Sequence, residues 1–331
     1  MIIFPAKRGL FKQYSRYLCD EKSRCRRMKN NSKIPGHIAC FVAYAIFGVN
    51  IIVCKDLTSS QLISPYALFT IRSIGAGLLF WMLSLFLPRE KVALRDHPRI
   101  LLASFLGFLL TQLTFLIAIP RITPLDCSII SVLSPIFTMI IAAIFLREPI
   151  TLQKAAGVAL GFAGVLFLIF NSVKGGGATQ TSPMGLILMV INCICFSLYL
   201  GVFRPLINRY SVVTFMKWIF FYSLIFSLPF TFLEVTSINY ASLPGNIKAE
   251  LLFLIVCSTF ITYFLIPVGQ KRIRPTLVSM YSYVQPIIAT CIGIYLGMDS
   301  LNWQKIVAAL MVVAGVVVVS FSRSREQVLS R

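Results

Sequence analysis

Two stretches of this chain decide its fold, because they are one stretch written twice. Residues 121–170 read RITPLDCSIISVLSPIFTMIIAAIFLREPITLQKAAGVALGFAGVLFLIF, and residues 272–321 read RIRPTLVSMYSYVQPIIATCIGIYLGMDSLNWQKIVAALMVVAGVVVVSF. The offset is a constant 151 residues, Arg121 to Arg272, with no gap. Arg-Ile-x-Pro opens both copies. Ser128, Ser131 and Pro135 fall on Ser279, Ser282 and Pro286. Gln153-Lys154 falls on Gln304-Lys305, and Ala163-Gly164-Val165 on Ala314-Gly315-Val316. Self-similarity at a fixed offset marks an internal duplication. The period is too long for a solenoid, so the chain is two large halves, each ending in this helical hairpin.

Outward from the repeat, the chain is 331 residues long, 57% hydrophobic and only 13% charged. A soluble domain carries about a quarter charged residues. Apolar runs of roughly 20 residues recur along the whole length, the pattern of membrane-crossing helices. Ten spans are predicted, at 34–54, 65–87, 99–119, 124–146, 152–170, 183–203, 212–233, 249–270, 275–297 and 303–321. Pro65, Pro124, Pro183 and Pro275 open four of them, which suits a first helical turn. The predicted fold is all-α: a first half over 34–170, a glycine-rich linker at 171–182, a second half over 183–321 and a tail at 322–331.

The net charge of +20 does not point to nucleic acid. It sits in the arm at 1–33, with ten Lys/Arg, and in short loops rather than on a folded basic face. The arm reads as a solvated segment that anchors on anionic membrane lipid, and Met28 is a second candidate start. With the N-terminus inside, the inner segments hold 24 Lys/Arg and the outer ones 5. The expectation is an integral inner (plasma) membrane protein with both termini cytoplasmic. Five spans per half is an odd number, so the second half enters the membrane upside down relative to the first. Inverted repeats let two mirror-related halves open alternately to either side, a recurrent transporter design.

The nine cysteines mostly lie in apolar runs, where a thiol behaves as a small hydrophobe. Two histidines in the whole chain give little basis for a metal site. The Gly175-Gly176-Gly177 loop lacks the strand and the Lys-Ser/Thr of a phosphate-binding loop. No cofactor is expected.

The repeat resembles the drug/metabolite transporter superfamily, in its ten-helix EamA-type members. The matching residues are Ser134-Pro135, Phe145-Leu146-Arg147-Glu148, Gln153-Lys154, Gly157 and Ala163-Gly164-Val165. In the second copy they are Gln285-Pro286, Gln304-Lys305 and Ala314-Gly315-Val316. Phe47-Gly48-x-Asn50 and Lys55 are similar to that family's opening helix. The resemblance covers about 34–321. It implies a secondary transporter of a small polar or amphipathic metabolite working by alternating access, with export as the expected direction. The alternative is a flippase of lipid-linked sugars or similar amphiphiles. A membrane-embedded enzyme is the third reading; it needs acids, nucleophiles or metal ligands that the pattern does not supply. Asp299 stands where the first copy has Glu148, and Ala308 where it has Gly157.

The repeat also locates a candidate site. Ser128, Ser131, Val132, Pro135 and Met139 share one helix face, as do Ser279, Ser282, Tyr283, Pro286 and Thr290. Pro135 and Pro286 each lie eleven residues from a span end, so each sits roughly 16 Å deep in a core about 30 Å thick. A mid-helix proline strips a donor from the carbonyl four residues earlier, here Ser131 and Ser282. Freed backbone groups at this depth need protein or water partners, and a central cavity between spans four and nine would provide them. Asn50, Arg72, Gln112, Tyr199, Tyr263 and Gln285 complete the expected lining; Arg72 reads either as facing the cavity from its outer side or as snorkelling to the outer headgroups. No Asp or Glu lies at the middle of a span, so proton coupling is not expected. Spans five and ten carry Gly157, Gly161, Gly164, Ala308, Ala309 and Gly315. Those faces suit close packing or contact with a second copy, a homodimer.

Overall fold

The computed structural model describes residues 34–146, 152–174, 181–297 and 303–320. The basic arm, Glu148, the three-glycine run, Asp299 and the tail lie outside the described residues. Ten principal helices follow. In the first half, α1 is Ile34–Ser59, α2 Pro65–Leu85, α3 Leu94–Arg121, α4 Pro124–Ser131 continued as Ser134–Leu146, and α5 Leu152–Lys174. In the second half, α6 is Pro183–Val202, α7 Val212–Thr236 and α8 Gly245–Arg272. The last two are α9, built of Pro275–Met280, Tyr281–Tyr283 and Val284–Tyr295, and α10, Trp303–Ser320. Among the described residues eight helices are long and apolar enough to cross a membrane, while α5 and α10 carry shorter apolar stretches, Ala155–Phe167 and Ile306–Gly315. The ten expected spans are therefore the ten helices. A short helix at Arg204–Arg209 and a 3₁₀ turn at Leu94–Asp96 were not legible from hydropathy.

The helix starts follow from local chemistry. Ser64, Thr123 and Ser182 stand before Pro65, Pro124 and Pro183, and their hydroxyls accept from the backbone N–H groups of Ala67, Asp126 and Gly185. A side-chain oxygen there satisfies a donor that the helix leaves orphaned, and proline has none to lose. Leu78, Leu85, Phe230 and Leu233 stay exposed on the outside of the bundle. In water such faces would be a liability; against lipid tails they are the solvated face.

The halves embrace across the repeat. Helix α1 packs on α8 and α9 of the other half, and α6 packs on α3 and α4. The details repeat too. Arg121 and Arg272 each donate to a carbonyl one turn back, Ile117 and Val268. A Cβ on Gly36 would press on the Arg272 side chain, and one on Gly185 on Arg121 and Ile122. Only hydrogen fits at those crossings.

Helices α4 and α9 both tighten ahead of their prolines. The Val132 N–H bonds Ile129 O at 3.3 Å and the Leu133 N–H bonds Ile130 O at 2.9 Å, three residues back instead of four. Tyr281–Tyr283 form the corresponding 3₁₀ turn in α9. The proline ring would clash with the preceding turn of a straight helix, so the chain narrows before it. Helices α3 and α8 deviate the other way. Each contains a π-helical stretch, Phe105–Leu110 and Leu254–Ile261. There the Thr111 and Thr259 hydroxyls donate to carbonyls five residues back, Leu106 at 2.8 Å and Leu254 at 2.7 Å.

The small faces of α5 and α10 meet each other inside the chain. A Cβ on Gly315 would lie 2.5 Å from the Gly161 nitrogen and 2.6 Å from the Gly157 oxygen. Of the two uses expected for these faces, packing within the chain is the one the geometry contains.

Candidate functional site

Between the halves lies an open cavity whose empty space, with the solvent at its mouth included, is about 570 Å³. It is lined by α1 (Tyr44, Phe47, Asn50, Ile51), α3 (Thr111, Gln112, Phe115), α4 (Ser131, Ser134), α6 (Met189, Asn192, Phe196), α8 (Tyr263) and α9 (Ser282, Gln285). The lining pairs up across the duplication. Gln112 and Tyr263, Ser131 and Ser282, and Ser134 and Gln285 are each 151 positions apart; Phe47 and Phe196 are 149 apart. The site therefore sits on the axis that relates the halves. It belongs to neither alone.

Of the expected residues, Asn50, Gln112, Ser131, Tyr263, Ser282 and Gln285 come together there. Pro135, Pro286, Tyr199, Tyr283 and Arg72 stand outside the lining. The prolines act by shaping the turns that present Ser131 and Ser282. Tyr199 is buried behind the wall, its ring against Gly107. Tyr283 flanks Ser282 without lining the space. Tyr281, next to it, bonds His37 instead, Oη to Nδ1 at 2.7 Å.

Arg72 is neither at the headgroups nor in the cavity. It is 1% exposed, wedged between α2, α1 and α8. Its Nε donates to Thr259 Oγ1 at 2.9 Å, Nη2 to Ser258 Oγ at 3.1 Å and Nη1 to Cys54 Sγ at 3.5 Å. Ser258 in turn donates to Asn50 Oδ1, as does the Cys54 thiol at 3.4 Å. The guanidinium thus touches the cavity wall through one serine and one thiol.

Among the described residues the lining consists of amides, hydroxyls and rings with the apolar Ile51 and Met189, and includes no Asp, Glu, Lys, Arg or His. Gln112 Nε2 donates to Tyr263 Oη at 2.8 Å, and Asn192 Nδ2 donates to the Thr111 carbonyl. Gln112 Oε1, Tyr44 Oη and Ser282 Oγ are buried with no partner among the described residues. Orphaned polar atoms of this kind cost about 1–3 kcal/mol each when nothing meets them. Three such atoms belong to residues around this one cavity. Phe47, Phe115, Phe196, Tyr44 and Tyr263 supply flat apolar walls, the ordinary make-up of a small-molecule site. Tyr44, Phe115, Met189 and Phe196 were not singled out from the sequence. Phe196 lies 149 positions after Phe47, two short of the offset that the sequence repeat shows, so that offset does not reach it.

Two inverted five-helix halves closing on a polar, aromatic-walled cavity define a membrane transporter. The chain belongs to the EamA-like transporter family, whose profile matches residues 34–170 and 183–321. An uncharacterised transporter of Archaeoglobus fulgidus is 22% identical over 261 residues, 79% of this chain and 90% of the relative. The uncharacterised inner membrane transporter YicL of Salmonella typhimurium is 23% identical over 299 residues, 88% and 96% of the two chains. An S-adenosylmethionine uptake transporter of Rickettsia bellii is 20% identical over 231 residues, 70% and 75% of the two chains. A protein of known crystal structure shares the fold, with a TM-score of 0.61 over 87% of this chain and 98% of its own, at 16% identity.

Proposed function

We propose that this protein is a secondary carrier of a small polar or amphipathic metabolite with a planar ring, held in the central cavity and released by alternating access. The observation that carries the reading is the cavity's composition: unpaired Gln112 Oε1, Tyr44 Oη and Ser282 Oγ inside aromatic walls. A solute with ring faces and hydrogen-bonding edges satisfies both at once. The S-adenosylmethionine transporter among the relatives carries a solute of that general make-up. The reading is of a carrier rather than an enzyme, in line with the names of its relatives. The Lys/Arg distribution supports an inner-membrane orientation with both termini cytoplasmic. The neutral lining supports movement down a solute gradient or by exchange; uphill uptake into liposomes driven by a pH gradient alone would overturn that part.

The deciding experiment compares metabolites inside and outside cells with the protein, without it, and with Ser131→Val/Ser282→Val. A metabolite that shifts across the membrane with the native chain but not with the double variant identifies solute and direction together. Identical profiles in all three would refute the carrier reading.

A further inference from the structure

Arg72 is a buried cation for which no carboxylate lies within ion-pair distance among the described residues. Arginine does not shed its proton in a protein, so the charge stays. Burying it against two hydroxyls and a thiol leaves it under-compensated, and removing charge from water is expensive unless something repays it. Pure structural glue would be made more cheaply from apolar residues.

The bonds around it have a direction. Ser258 receives an Arg72 N–H and so points its own proton at Asn50 Oδ1. The Cys54 thiol, also beside the guanidinium, points at the same oxygen. With Oδ1 engaged toward Arg72, the Asn50 amide turns its two N–H donors to the cavity that it lines. The π-helical stretch Leu254–Ile261 of α8 holds both Ser258 and Thr259 against the guanidinium. The π geometry, the serine and the arginine all serve one amide.

We propose that Arg72 is the residue that sets the charge preference of this carrier: by orienting Asn50 and adding positive potential behind it, it selects planar solutes that carry a carboxylate. This rests on the carrier reading above. The ring lies among Phe47, Phe115 and Phe196, and the carboxylate accepts from Asn50 Nδ2. Arg72 does not touch the solute; it is a positioning residue.

The test is isothermal titration of detergent-purified protein at neutral pH with indole-3-acetate and indole-3-acetamide, which share size and ring and differ in charge. The native protein should bind the acid roughly twentyfold more tightly than the amide, the size of a unit-charge attraction across about 9 Å at an effective dielectric near 20. In Arg72→Gln the acid-to-amide ratio should fall toward one, and in Arg72→Lys, which keeps the charge but loses the fork, it should be partly restored. Ser258→Ala, which leaves the charge and breaks the relay, should lower the ratio without abolishing it. A native ratio near one overturns the proposal whether or not any variant folds, as does an unchanged ratio in Arg72→Gln. If the native protein takes the amide as well as the acid, only the charge preference is lost. The carrier reading stands or falls on the metabolite comparison.

Discussion

His37 and Tyr281 lock one side of the molecule: His37 Nδ1 and Tyr281 Oη lie 2.7 Å apart, joining the start of α1 to the 3₁₀ turn of α9. The residues at the repeat-related positions, Leu186 (149 on, the spacing of Phe47 and Phe196) and Ile130 (151 back), have apolar side chains. The bond thus has no counterpart at the repeat-related positions of the opposite side, where Lys55 holds the Ile119, Pro120 and Ile122 carbonyls and Thr181 holds Asp126 instead. His37→Phe should loosen the side where α1 begins. One hydrogen bond is worth about 1 kcal/mol, so the population open on that side should rise about fivefold. A cysteine placed at Ser282, in a background without native cysteines, should react faster with a maleimide applied from the cytoplasmic side. Equal labelling rates with and without the substitution would mean that the bond is no latch.

The cavity predicts which substitutions on α9 matter. Gln285 and Ser282 line it, while Tyr283 does not. Gln285→Ala and Ser282→Ala should each raise the KM for transport about five- to tenfold, the worth of a hydrogen bond to the solute. Tyr283→Phe should leave the KM near the native value. The three are compared at matched amounts of folded protein in the membrane. A large effect from Tyr283→Phe alone would shift the site toward the proline face that periodicity suggested.

The contact of α5 with α10 predicts a stability effect instead. Gly315→Leu forces a side chain against the backbone of Gly157 and Gly161. Overpacking of this sort costs about 1–3 kcal/mol. The expected result is a lower unfolding temperature in detergent, with the monomer mass unchanged by light scattering. Loss of a dimer with no loss of thermal stability would return these faces to contact between copies.

The count of basic residues predicts orientation. Glu90, between α2 and α3, and Asn239, between α7 and α8, should label from opposite sides, Glu90 from the cytoplasm. Cysteine substitution and an impermeant reagent check this directly. Labelling of both from one side would contradict the inverted arrangement.

Much of the fold could be read in advance because its signals are local. A proline removes its donor wherever the chain goes, so the breaks near Pro135 and Pro286 were foreseeable, and with them Ser131 and Ser282. A fixed offset survives folding, so the repeat located paired lining residues before any contact was known. Arg72 shows where such reading stops. Hydropathy marks it as costly but cannot tell a lipid face from a cavity face, and neither was correct. Its place depends on the π-helical stretch of α8, which turns Ser258 and Thr259 toward it. That stretch has no proline or glycine to announce it, because tertiary packing produces it. The inward turn of Tyr44 was hidden for a similar reason: α1 is apolar nearly all round, so periodicity gave it no face.

The bond between Gln112 and Tyr263 has a different standing from the one at His37. Its two partners are repeat-mates, so it straddles the axis that relates the halves. A contact on the axis that both end states keep would cancel from the balance between them. Substituting Gln112 should therefore be silent in any measurement of which side is open, however much it harms the grip on the solute. The balance itself is left to the places where duplication has decayed. Over evolutionary time, then, the resting posture of such a carrier can be retuned by point changes at its rims, while the shared centre drifts only with the cargo.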